Sequence, residues 1–140
     1  MTIPVWILLA FAGWTLLTLL STIGIYRWSR ILTGRVAISA WDPTASQGSD
    51  WYRRAMRAHM NCVENLPVYG AIVVAIMASD AAGPVLDGLA VAFIVARVCQ
   101  TTVHVATTPT DLTAAIRFGF FFAQIVCMAS MAVIVAARAL

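Results

Sequence analysis

The stretch Pro4 to Ile25 contains no charged side chain. At about 1.5 Å per residue its roughly 22 residues span a hydrocarbon core of about 30 Å. A backbone inside that core has no water to bond, so it must satisfy its own N–H and C=O groups as a helix. No basic residue precedes the run, it is too long for a signal-peptide core, and no small-x-small cleavage pattern follows. It therefore reads as a retained membrane helix. Of the 140 residues, 61% are hydrophobic and 11% charged, against about 25% charged in an ordinary soluble domain.

Three more segments follow the same logic. One begins near Asp50, whose carboxylate suits a helix N-terminus, and ends near Ala78, with Pro67 in its interior predicting a kink. Asp80, Gly83 and Pro84 form a short turn, and Pro84 suits the first position of the next helix, which Pro109 stops. Thr110 or Asp111 caps the last. The predicted fold is all-α: one integral membrane domain over residues 1–140, a four-helix bundle with helices near 4–26, 50–78, 84–108 and 111–138.

Arg27 to Tyr52, with Gly34, Pro43, Gly48 and several Ser and Thr, reads as a polar connection. Trp28, Trp41 and Trp51 within it suit an interfacial aromatic belt. All nine basic residues are Arg, and five of them (Arg27, Arg30, Arg35, Arg53 and Arg54) fall in this connection or just after it. By the positive-inside rule this connection is expected on the cytoplasmic side, with both termini opposite, as in a multi-pass protein of a bacterial inner membrane. A nucleic-acid partner is excluded, because the chain lacks a longer basic strip with interleaved aromatics on a soluble platform. Cys62, Cys99 and Cys127 lie in apolar runs, in a number and spacing that fit neither a disulfide framework nor a metal site. His59 and His104 stand on two helices, as a haem pair would, but in no haem-packing context.

The second segment carries charge directly into an apolar run, from Arg53 to Pro67. On a helix, Arg54, Arg57, Asn61 and Glu64 share an arc of about 80°, with His59 on the other side. Such a face cannot meet lipid, since an ionised group at membrane depth costs at least about 2.5–3.5 kcal/mol. It is therefore expected to look into a protein interior and at a polar ligand. In the third segment Arg97, Gln100, Thr101 and His104 share an arc of about 100°. In the fourth, Arg117, Phe121 and Gln124 share one side. Against Arg57, Arg97 and Arg117 stands a single intramembrane carboxylate, Glu64, so an anionic guest is implied. Guanidinium groups around a thiol would also favour its nucleophilic thiolate form.

The run Arg54-Ala-Met-Arg57-Ala-His59-Met-Asn61-Cys-Val-Glu64-Asn65-Leu-Pro67 resembles the signature of the MAPEG family, the membrane-associated proteins in eicosanoid and glutathione metabolism. The resemblance extends over essentially the whole chain and is nearest to a bacterial-type member similar to microsomal glutathione transferase. It implies a homotrimer that binds glutathione, as co-substrate, between adjacent subunits near the cytoplasmic side. By this resemblance Arg54, Arg57, Asn61, Glu64, Arg97, Gln100 and His104 would hold glutathione, and Arg117 would be the catalytic residue that holds its thiolate. Met60, Phe118 and Phe121 depart from the prostaglandin synthases of the family. The implied activity is therefore that of a glutathione transferase or lipid peroxidase, acting on a small apolar or lipid-like second substrate. The alternative is a trimeric membrane scaffold without turnover.

Overall fold

The computed structural model describes residues 1–41 and 48–139. Among these residues the chain forms four long helices: α1 (Ile3–Leu32), α2 (Asp50–Ala78), α3 (Pro84–Ala106) and α4 (Asp111–Ala139). Each is long and apolar enough to cross a membrane. Pro43, assigned to the first connection, lies outside the described residues.

The first helix runs six residues past its expected end at residue 26. Its 30 residues correspond to about 45 Å, so one end outruns a bilayer core of about 30 Å. Charge had suggested the earlier boundary, yet Arg27 and Arg30 remain helical because aromatic rings receive their head groups. The Arg27 guanidinium lies 5.3 Å from the Trp41 ring and 5.8 Å from Tyr52, and that of Arg30 lies 4.5 Å from Tyr26. Arg27 Nε also donates to Tyr52 Oη at 2.6 Å. Trp41 is thus packed inward, whereas Trp28 is 59% exposed and suits the interfacial belt.

Within α1, residues Leu19–Gly24 form a wider π-helical turn. The local sequence explains its position. Thr15, Thr18, Ser21 and Thr22 all donate their hydroxyls to carbonyls three or four residues earlier, and such back-bonding loosens the regular helical ladder.

Ser49 caps α2, with its hydroxyl accepting from the Tyr52 amide at 3.3 Å. Its own amide donates to Tyr26 Oη at 3.1 Å, which ties the entry of α2 to the end of α1. Gly48 before it has φ +88, and a Cβ there would sit 2.6 Å from Tyr52 Cδ1. The helix continues unbroken across Pro67. Asp80 (φ 53) and Gly83 (φ 147) turn the chain, and Pro84 opens α3 as anticipated. Arg138 Nη1 donates to Ala82 O at 2.7 Å and fastens the end of α4 to that turn. At the other end, Thr110 and Thr113 cap α4 reciprocally: each amide donates to the other's hydroxyl, at 2.8 and 3.2 Å.

An aromatic layer from three helices fills the centre. Tyr69 stacks on Phe93 at 4.4 Å, and Phe11 meets Phe93 edge-on at 5.2 Å. All three are fully buried, and Tyr69 Oη finds a partner in Pro4 O at 3.3 Å. The remaining core is aliphatic and Met-rich: Val73, Ile76, Leu86, Met128 and Met131 pack around this layer.

Candidate functional site

The buried face of α2 consists of Tyr52, Ala55, Ala58, Cys62, Tyr69, Val73 and Ile76. Small residues at 55, 58 and 62 let α2 approach its neighbours closely, as helices in lipid favour. The polar face is consequently turned the other way. Arg57 and Glu64 are exposed on the outside of this single chain, and Arg54 and Asn61 are half-buried. The single chain therefore leaves this face open, turned away from its own core. Helical geometry cannot bury Ala55, Ala58 and Cys62 and also Arg57 and Glu64, which point away from them.

His104, half-buried near the end of α3, has cationic groups of two other helices in its neighbourhood. Arg117 of α4 and Arg57 and Arg54 of α2 all lie within Coulombic reach of it. The end of α2 that carries its arginines, the end of α3 and the start of α4 therefore share one depth, as the sequence predicted. Glu64 forms no ion pair within this chain among the described residues, where the pair found is Asp50 with Arg53 at the surface. Arg54 Nε is buried and has no hydrogen-bond partner among the described residues. The cluster thus presents donors and positive charge from three helices, and this can hold a carboxylate or a thiolate.

Arg97 and Gln100 lie deeper. Arg97 is 0% exposed, and its guanidinium rests 5.5 Å from the centre of the Phe11 ring. Its Nη1 donates to Gln100 Oε1 at 3.0 Å. Gln124 Nε2, from α4, donates to the same oxygen at 3.0 Å and to Phe120 O at 2.9 Å. Thr101 Oγ1 donates to Arg97 O at 2.9 Å and lies 3.7 Å from Cys62 Sγ. This inner network joins α2, α3 and α4 next to the aromatic layer, with Arg97 Nε and Nη2 and Gln124 Oε1 left without partners among the described residues.

The eight sequence-predicted residues therefore divide into two tiers. Arg54, Arg57, His104 and Arg117 converge, Asn61 and Glu64 follow along the outer face of α2, and Arg97 and Gln100 stand behind on α3. Gln124, which belongs to the inner tier, was not among the predicted site residues. The available signal was its place two turns after Arg117 on the same face of an otherwise apolar helix. A separate cleft of about 190 Å³, lined by Thr2, Pro4, Gly83, Leu86 and Asp87 among others, lies at the opposite end of the bundle. It shares no residue with the cationic cluster.

Searches of curated proteins and of solved structures found no match to the chain. A family model, that of the MAPEG family, matches residues 4–137. Since that match takes in all four helices and both tiers of the site, this multi-pass membrane protein belongs to the MAPEG family.

Proposed function

We propose that the chain acts as a homotrimer that binds glutathione between neighbouring subunits, holds its sulfur as the thiolate beside Arg117, and uses it on apolar electrophiles or lipid hydroperoxides. The observation that carries this reading is that Arg54, Arg57 and Arg117, from two helices, all lie within Coulombic reach of His104 on a third. Three guanidinium groups in a membrane-spanning bundle need anionic partners, because an unpaired cation at that depth costs several kcal/mol. Glutathione is a tripeptide with two carboxylates, one ammonium and an ionisable thiol, and Glu64 complements the ammonium.

The outward polar face of α2 supports the trimer. Arg57 and Glu64 are exposed in the single chain, on a helix that spans the membrane. A second copy covering that face would keep both from lipid and complete the walls of the site. In this assembly the arginine-rich first connection faces the cytoplasm, and so does the glutathione entrance.

In the transferase reaction the thiolate sulfur forms a bond to the electrophilic carbon, and the leaving group departs with its electron pair. In the peroxidase reaction sulfur attacks the distal peroxide oxygen, giving a sulfenic acid and an alcohol. A second glutathione then forms the disulfide and water. Arg117 stabilises the anionic sulfur in both, and exposed Phe118 and Phe122 supply an apolar approach from the lipid side.

The test is a titration of the detergent-purified protein with glutathione, followed through the near-ultraviolet absorbance of the thiolate. The signal is expected in the native protein and not in Arg117→Ala. Conjugation of an aromatic halide and reduction of a lipid hydroperoxide then divide transferase from peroxidase. Absence of glutathione binding would overturn the proposal and leave a non-catalytic trimer.

A further inference from the structure

Gln100 Oε1 is approached by two donors at once, Arg97 Nη1 and Gln124 Nε2, each at 3.0 Å. A guanidinium can only donate, so the Gln100 atom facing it must be the carbonyl oxygen. The Gln124 atom facing that oxygen must then be its amide nitrogen, and the second hydrogen of that nitrogen goes to Phe120 O at 2.9 Å. This chemistry assigns both amide orientations. It also occupies both lone pairs of Gln100 Oε1.

An amide held by its oxygen has its nitrogen pointing away. Gln100 Nε2 is thereby left out of both bonds, and Gln100 shares a face of α3 with His104 one turn later. Arg97 is 0% and Gln124 0% exposed, against 5% for Gln100. In this arrangement Arg97 has no surface from which to touch a ligand. Its Nη1 is taken by Gln100, and the guanidinium lies against the Phe11 ring.

We propose that Arg97 and Gln124 are positioning residues: together they lock the Gln100 carboxamide so that its NH₂ group is a fixed donor to an acceptor oxygen, carboxylate or amide carbonyl, of the bound tripeptide. This inference rests on the glutathione reading of the outer tier. It specifies what that reading leaves open, namely which group at this depth meets the ligand and with what polarity. A free Gln can offer either end of its amide, whereas this one can offer only the donor end. The site therefore selects an acceptor there and rejects a donor.

The experiment is equilibrium binding of glutathione to the purified full chain and four variants, with thermal unfolding recorded for each. Gln100→Glu keeps an oxygen for Arg97 and Gln124 and replaces the outward NH₂ with a second oxygen. It is expected to lose about tenfold or more in affinity with no fall in the unfolding temperature. Gln124→Met is expected to weaken binding about three- to tenfold in the native background and to have no further effect in a Gln100→Ala background, because it acts only through Gln100. Unchanged affinity in Gln100→Glu would overturn the proposal. So would an equal loss from Gln124→Met in both backgrounds, which would mark a general packing effect. Failure of the native protein to bind glutathione would instead remove the functional reading beneath it, a result separate from either of these.

Discussion

The Arg97 guanidinium lies 5.5 Å from the centre of the Phe11 ring, so the charge most deeply buried in the described chain is held partly by an aromatic face from a different helix. A desolvated cation over a ring gains about 2 kcal/mol or more. Phe11 also meets Phe93 and Tyr69 edge-on. One side chain of α1 therefore supports both the apolar layer and the polar network above it.

Phe11→Ala is expected to destabilise the protein by about 3–5 kcal/mol, the range for removing a buried aromatic ring. It should also loosen Arg97. Thermal unfolding in detergent measures the first effect, and a weaker glutathione response measures the second. Phe11→Leu, which keeps apolar volume without the ring, should recover much of the stability.

Gly48→Ala is expected to disturb the junction of α1 and α2. The backbone there has φ +88, and the new methyl would fall 2.6 Å from Tyr52 Cδ1 and 3.2 Å from Tyr26 Oη. Strain of this kind costs on the order of 1–3 kcal/mol. Since Tyr26 and Tyr52 stack at 4.4 Å and pack against Trp41, a shift in tryptophan fluorescence should accompany the loss of stability.

Glu64→Gln is expected to weaken glutathione binding about tenfold, because a charge-assisted hydrogen bond to an ammonium contributes about 1.5–3 kcal/mol. Glu64 is exposed and forms no ion pair within this chain among the described residues, so protein stability should change little. Isothermal titration with glutathione checks this, and equal affinity for the two proteins would remove Glu64 from the site.

Met60 is 45% exposed and flanks the polar face of α2. If a second copy covers that face, Met60→Cys should become crosslinked between chains by a short bifunctional thiol reagent, in a background where the three native cysteines are replaced by Ala or Ser. With one thiol per chain each link joins two chains and consumes both thiols, so covalent dimers should appear on a denaturing gel. Monomer alone, at full labelling, would count against the proposed assembly.

The grouping of the candidate residues can be read without a structure, since helical periodicity alone places Arg54, Arg57, Asn61 and Glu64 on one face, and Arg97 with Gln100 and His104 on another. Turn chemistry at Gly83-Pro84 and Thr110 likewise marks where α3 and α4 begin. The end of α1 is less legible. Arg27 and Arg30 look like a boundary when counted as charges, and only the folded first connection, which lays Trp41 and Tyr52 against Arg27, shows that the helix can carry them. The π turn was hidden for a related reason: the Thr and Ser hydroxyls that produce it are common in any membrane helix.

Sequence alone determined that the chain has four segments long and apolar enough to cross a membrane and that the polar residues of each share a face, because both follow from hydropathy and from periods along single helices. Tertiary structure alone decided which way each polar face turns. Ala55, Ala58 and Cys62 pack inward, so Arg57 and Glu64 are left outside, while Arg97 is drawn beneath the surface by Phe11, Gln100 and Gln124. Those choices depend on contacts between helices far apart in sequence, where close approach and hydrogen-bond polarity, not periodicity, select the arrangement.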